Sequence, residues 1–238
     1  MKKAVVVGAT SGIGKELAKI LSANNYKVGI TGRRNELLYE LTKQNPDSFI
    51  NKTFDVINTD DSIKKLEELV NELGGLDLLI FSSGTGDLNE QLDFAIEKNT
   101  IDTNVTGFTC IADWTFNYFE KQKSGHLAAI SSVAGLRGNR GSTSYNATKA
   151  FQIKYLEGLR QKAAYLKMPI TVTDIRPGFV KTDMAKGEGQ FWVASVEKAA
   201  KQIFNAIINK KKIVYVTKRW RLVAFVFKLI PNFIYDKM

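Results

Sequence analysis

Tyr145 and Lys149 stand four residues apart in Tyr-Asn-Ala-Thr-Lys, and Ser132 lies thirteen residues before the tyrosine. On a helix, side chains at i and i+4 share a face, so Lys149 can set its ammonium beside the Tyr145 phenol. A free tyrosine titrates near ~10, too high for easy proton exchange at neutral pH. A nearby positive charge favours the phenolate and lowers that pKa, which makes the phenol a usable general acid or base at a carbonyl. A hydroxyl such as that of Ser132 can hold the reacting oxygen. Tyr-x-x-x-Lys alone is a common pattern and fits an ordinary helix-surface pair just as well. Its weight comes from how the chain begins.

Residues 3–8 read Lys-Ala-Val-Val-Val-Gly, the composition of a buried parallel strand. Gly8, Ala9, Thr10, Ser11, Gly12, Ile13 and Gly14 follow, and then a helix-like stretch. Strand, glycine-rich turn and helix are the context of a dinucleotide-phosphate site. Glycines let the backbone approach a pyrophosphate, and the helix N-terminus faces the anion. The spacing Gly8-x3-Gly12-x-Gly14 differs from the commoner G-x-G-x-x-G, and a purely structural turn is the plain alternative.

These elements need a frame. Strand-like runs recur near 3–8, 27–32, 49–54, 76–82, 125–131, 169–175 and 212–217. Helical patterns fill 13–24, 35–44, 59–73, 102–121, 144–166 and 195–209. Such alternation predicts an α/β fold: a single-domain, Rossmann-like, doubly wound parallel sheet with helices on both faces. Sites on such sheets lie at the C-terminal strand ends. The Gly loop, Gly84, Ser132 and Pro177-Gly178 all fall there. At the end of the second strand, a carboxylate would favour NAD(H). The chain instead has Arg33 and Arg34, whose planar forks suit a 2′-phosphate and favour NADP(H).

Taken together, these motifs resemble the short-chain dehydrogenase/reductase family over about residues 3–216. The motifs occur in family order. They are the loop 8–14, Asp55-Val56 after the third strand, Asn104 in Asp-Thr-Asn-Val-Thr-Gly, Ser131-Ser132-Val133-Ala134-Gly135, Tyr145 with Lys149, and Pro177-Gly178-Phe179-Val180-Lys181-Thr182. The resemblance implies that Tyr145 is the acid/base and that Lys149 tunes it and bonds the nicotinamide ribose. It further implies that Ser132 orients the substrate carbonyl and Asn104 anchors a water relay. It adds Asp55, Val56, Gly84, Pro177, Gly178, Val180 and Thr182 to the cofactor site, with Asp55 facing the adenine. Val7 stands where the family usually has Thr, and Phe81-Ser82-Ser83-Gly84 replaces Asn-Asn-Ala-Gly. These departures read as altered support for the cofactor.

Composition narrows the function classes. The chain has 238 residues, enough for one domain with a sizeable core. Cys110 is the one cysteine, so no intramolecular disulfide forms, which fits a reducing, cytoplasmic setting. The lone His126 has no cluster of other ligands around it, so no metal is expected. Met1-Lys2-Lys3 opens like a signal peptide, but the apolar run ends at Gly8, short of the ~7–15 residues such a segment needs.

Net charge is +10, yet residues 209–238 hold eight basic residues against Asp236 alone, a surplus of +7. The body is nearly balanced, which argues against nucleic acid as a partner. Residues 1–217 are read as the dinucleotide-binding and catalytic domain. Residues 218–238 are read as a basic, apolar tail that is not a domain. Within the tail, 222–230 has eight apolar positions of nine, far short of the ~20 that span a bilayer. It suits a cover over the substrate pocket, a packing surface for another subunit, or weak contact with a membrane surface.

Residues 183–193 offer Met184, Phe191 and Trp192 beside Gly187 and Gly189, a composition suited to an apolar carbonyl or alcohol substrate. Arg137 and Arg140 offer charges for an acidic one. A homodimer or homotetramer is expected through the helices at 102–121 and 144–166. The leading reading is an NADP(H)-dependent oxidoreductase working on a carbonyl/alcohol pair. The alternative is a non-catalytic NADP(H) sensor or scaffold.

Overall fold

The computed structural model describes residues 1–185 and 189–237. Lys2–Val7 forms β1, and its residues alternate between two cores. Ala4 and Val6 join one apolar cluster, and Val5 and Val7 the other, as the two-residue period of a strand requires. β2 (Tyr26–Gly32), β3 (Phe49–Thr53), β4 (Leu78–Phe81), β5 (Gly125–Ile130), β6 (Ile170–Pro177) and β7 (Ile213–Val216) complete the sheet. Its order is β3-β2-β1-β4-β5-β6-β7, and each neighbouring pair is parallel.

One face is covered by α1 (Gly12–Ala23), α2 (Asn35–Gln44) and α7 (Val196–Ile208), whose Leu17, Leu38 and Ile203 are fully buried. The opposite face carries α3 (Thr59–Leu73), α5 (Phe108–Gln122) and α6 (Thr143–Tyr165), with Leu66, Phe108 and Leu156 fully buried. Burying each such side chain is worth about 1.5–3 kcal/mol. The expected doubly wound fold is present, and its strands fall within two residues of the predicted ones.

Four features depart from the reading. A helix α4 (Phe94–Ile101) precedes the predicted start at 102, capped by the Asp93 carboxylate, which accepts from the Ala95 amide at 2.8 Å. Phe94 is 73% exposed, so α4 lacks the apolar stripe that periodicity detects. Between α4 and α5, residues Asp102–Gly107 form a π turn. The tail folds into α8 (Trp220–Leu229) and a single turn, α9 (Asn232–Tyr235). Finally, on the helices expected to pair subunits, Phe108, Ile111, Phe116, Ile153, Leu156 and Leu159 are buried in the chain's own core. On those helices the partly exposed aromatic groups include the stacked pairs Trp114–Tyr118 and Phe151–Tyr155.

Candidate active site

Strand order reverses between β1 and β4, and the loops leaving these strands part there. A cleft of about 1050 Å³ opens at these C-terminal ends. Gly8, Thr10, Ser11, Gly12, Ile13, Arg33, Arg34, Asp55, Val56 and Gly84 line it toward the adenosine end expected from the motifs. Ser132, Tyr145, Lys149, Pro177, Gly178, Val180 and Thr182 line the rest.

The loop after β1 is shaped by missing side chains. Gly8 has a φ of +89°, and a Cβ there would lie 2.6 Å from the Ser83 amide nitrogen. Gly14 does not line the cleft. It packs beneath the loop, where a Cβ would meet the Gly8 carbonyl at 2.1 Å. The loop therefore seats tightly on its helix, and Gly8, Thr10, Ser11, Gly12 and Ile13 line the cleft at the N-terminus of α1, a place that fits a pyrophosphate. Arg34 folds onto the loop, donating to the Thr10 hydroxyl at 2.7 Å and the Ser11 hydroxyl at 2.8 Å. Arg33 pairs with Asp55 at 3.5 Å and stays largely exposed. Two guanidinium groups and two hydroxyls thus gather at the end of β2. Val7 and Phe81, the departures from the family pattern, are core residues, and Phe81 meets Phe108 edge to face at 5.3 Å.

α6 carries the reactive pair. The Ser132 hydroxyl donates to the Pro177 carbonyl at 3.4 Å and receives the Ala134 amide at 3.1 Å, beside the Tyr145 phenol. Burial pushes the Tyr145 pKa up, and Ser132 opposes that rise. The expected lowering by Lys149 does not govern the phenol, whose ring centroid lies 5.7 Å from the Lys149 Nζ. With its pKa raised, the phenol is a weaker acid than a free tyrosine, so its placement in the cleft beside Ser132 must carry the transfer. Lys149 is itself buried, which pulls its pKa down to about 8 against the attraction of Asp174. Its ammonium donates to the Ile130 carbonyl at 3.0 Å and to the Gln152 side chain at 3.0 Å.

Asn104 sits behind the cleft rather than in its lining. Its side chain accepts from the Thr85 amide at 3.0 Å and donates to the Thr85 carbonyl at 2.7 Å. At the π turn, its main-chain carbonyl accepts from the Gln152 amide at 2.9 Å. It is therefore a positioning residue that fixes Thr85 in the loop after β4 and reaches Lys149 through Gln152. Gln152 is fully buried and was missed by sequence reasoning. The available signal was its place one helical turn after Lys149. Also missed was the buried chain Ser131–Asp174–Arg176–Tyr215. There Asp174 accepts from the Ser131 hydroxyl at 2.5 Å and pairs with Arg176 at 2.6 Å, and Arg176 donates to Tyr215 at 3.0 Å.

The tail forms one wall. Trp220, Phe227 and Tyr235 line the cleft beside Met184 and Phe191. Phe191 stacks on Trp220 at 5.0 Å, and Phe179 meets Trp220 edge to face at 5.6 Å. Gly178 permits this closeness, since a Cβ there would sit 1.9 Å from the indole. Arg137 does not wait for an acidic substrate. It donates to the Phe227 carbonyl at 2.9 Å, the Asn232 side chain at 2.8 Å and the Ile230 carbonyl, and lies over the Tyr235 ring. Trp192 contacts Phe191 and Trp220 from outside the cleft. Gly187 lies outside the described residues.

The family model for short chain dehydrogenases matches residues 2–191. The chain belongs to the short-chain dehydrogenase/reductase family. An uncharacterized oxidoreductase of Myxococcus xanthus is 34% identical over 188 residues, covering 77% of this chain and 74% of that protein. Among solved structures, a short-chain dehydrogenase from Streptomyces avermitilis superposes with a TM-score of 0.83 at 24% identity, covering 95% of this chain and 90% of that one. A serine dehydrogenase complexed with NADP+ gives a TM-score of 0.79 at 24% identity, over 90% and 93% of the two chains. The protein is accordingly an oxidoreductase of a family that uses NAD(P).

Proposed function

We propose that this short-chain dehydrogenase interconverts a carbonyl and an alcohol with NADP(H), Tyr145 passing the proton. The observation that carries this is that Ser132, Tyr145 and Lys149 line one cleft with the Gly8, Thr10, Ser11 and Gly12 loop. A bound nicotinamide supplies or accepts the hydride. The chain's own residues do the rest. Ser132 holds the substrate oxygen, and Tyr145 donates to that oxygen as the carbonyl is reduced. In the reverse direction the phenol must first lose its proton, so oxidation gains as pH rises. Lys149, anchored by Gln152, offers a charge to the ribose.

Arg33 and Arg34 support NADP(H) over NAD(H), because with the Thr10 and Ser11 hydroxyls they gather donors suited to a 2′-phosphate. A neighbour of the same fold holds NADP+. The aromatic wall of Phe179, Phe191 and Trp220 supports an apolar substrate. A cytoplasmic setting is part of the reading, since Cys110 is the one cysteine. Pairing of subunits is proposed through the partly exposed Trp114–Tyr118 and Phe151–Tyr155 stacks, and light scattering that shows only the 26.6 kDa species across a wide concentration range would remove it. The deciding experiment for function is a panel of aldehydes and ketones assayed by NADPH consumption. A panel without turnover, alongside tight NADPH binding by tryptophan quenching, returns the protein to the sensor class.

A further inference from the structure

Helix α8 has two apolar faces. Trp220 and Ala224 are buried, and Trp220 and Phe227 face the cleft. Leu222, Phe225, Val226 and Leu229 follow i, i+3, i+4, i+7 spacing and form one outward stripe, each between 51% and 65% exposed. Phe233 and Ile234 of α9 continue the exposed apolar surface. Arg221 and Lys228, seven residues apart, fall along one edge of the stripe, and Lys218, Arg219 and Lys237 are exposed nearby. A monomer seldom leaves such a contiguous patch without use.

The charge selects the occupant. A second copy docking through the same patch would oppose two segments, residues 218–238, that each carry five basic residues against Asp236, a surplus of +4. An anionic bilayer complements that charge. At ten residues α8 is about 15 Å long, half the ~30 Å hydrocarbon core. Among the described residues no helix is long and apolar enough to cross a membrane. The stripe would therefore lie in the interface plane. The cleft rim is apolar as well, since Leu88, Met184 and Phe191 line it yet remain well exposed. Arg137 ties the tail to the body, so docking needs no detachment of α8.

We propose that α8 and α9 seat this protein on an anionic phospholipid surface, with the cleft fed by apolar carbonyl compounds from the lipid. The feeding route rests on the oxidoreductase reading above, whereas the docking stands apart from it. The test uses the full chain with vesicles of phosphatidylcholine alone or mixed with phosphatidylglycerol. Co-sedimentation is expected only with the mixed vesicles and is released by salt at a Debye length of a few Å. The variant Leu222→Ser/Phe225→Ser/Leu229→Ser loses binding. Arg221→Gln/Lys228→Gln binds about thirtyfold more weakly, from the loss of two surface cations. Both variants keep the inner face, so an unchanged NADPH titration by tryptophan quenching shows that the fold survives. Wild-type protein left in the supernatant at low salt overturns the docking, as does a serine variant that still binds. So does a dimer that the serine substitutions abolish without any vesicle binding, which assigns the face to a second copy. Vesicle binding without turnover of any carbonyl keeps the docking and overturns only the feeding route.

Discussion

Gln152 accepts a 3.0 Å hydrogen bond from the Lys149 ammonium. Lysine only donates, so the amide oxygen must face it, and the amide nitrogen then meets the Asn104 carbonyl at 2.9 Å. The charge on Lys149 is thus held by a neutral side chain locked at both ends. Gln152→Leu removes the acceptor and leaves a buried cation less satisfied, so its pKa falls below about 8. Gln152→Glu sets a carboxylate beside it and raises the pKa. Measured against pH, NADPH affinity should weaken on the alkaline side at lower pH in the leucine variant and at higher pH in the glutamate variant. Identical profiles in all three proteins exclude the role.

Tyr145→Phe removes the phenol and leaves Lys149 and the Gly loop in place. Turnover should fall by about 10²–10⁴-fold or more while NADPH still quenches tryptophan fluorescence. Near-wild-type turnover with a suitable carbonyl would falsify the proton-donor assignment.

Arg33→Asp places an acid where a 2′-phosphate is proposed to lie. The preference for NADPH over NADH, read from the two dissociation constants, should collapse or reverse. Equal affinities in the wild-type protein end the phosphate reading of both arginines.

His126 carries a stability prediction. Its Nε2 lies 2.8 Å from the Thr173 hydroxyl, which donates its own proton to the Lys211 carbonyl at 2.6 Å. The imidazole must therefore donate through Nε2, and a second proton would go to Nδ1. Burial first, and then Lys210, pull its pKa down to about 4. The unfolded chain binds that proton near ~6.5, so stability is complete above that pH and is lost as pH falls toward about 4. The loss amounts to about 3 kcal/mol, and His126→Gln should flatten this part of the Tm–pH curve. An unchanged acid slope in the variant refutes it.

The strands were legible because short apolar runs such as 4–7 and 78–81 have few other ways to be buried. The Gly loop and the Tyr145/Lys149 pair were legible because their chemistry depends on short spacings. Gln152, Asp174 and Arg176 were not. Their roles arise only when β5, β6 and α6 come together, and a buried polar residue in the sequence looks like any exposed one. α4 escaped because its faces are mixed. The lowering of the Tyr145 pKa was inferred from spacing alone, which cannot weigh the cost of burial against a charge.

The contact of Gly178 with Trp220 binds two distant stretches into one inheritance. An alanine at 178 would press its methyl into the indole, so the two positions can drift only as a pair. The same helix turns Leu222, Phe225 and Leu229 the other way, where nothing inside constrains them. If α8 docks as proposed, choice of substrate can be rewritten on one side of it over generations and choice of address on the other, with little trade between them.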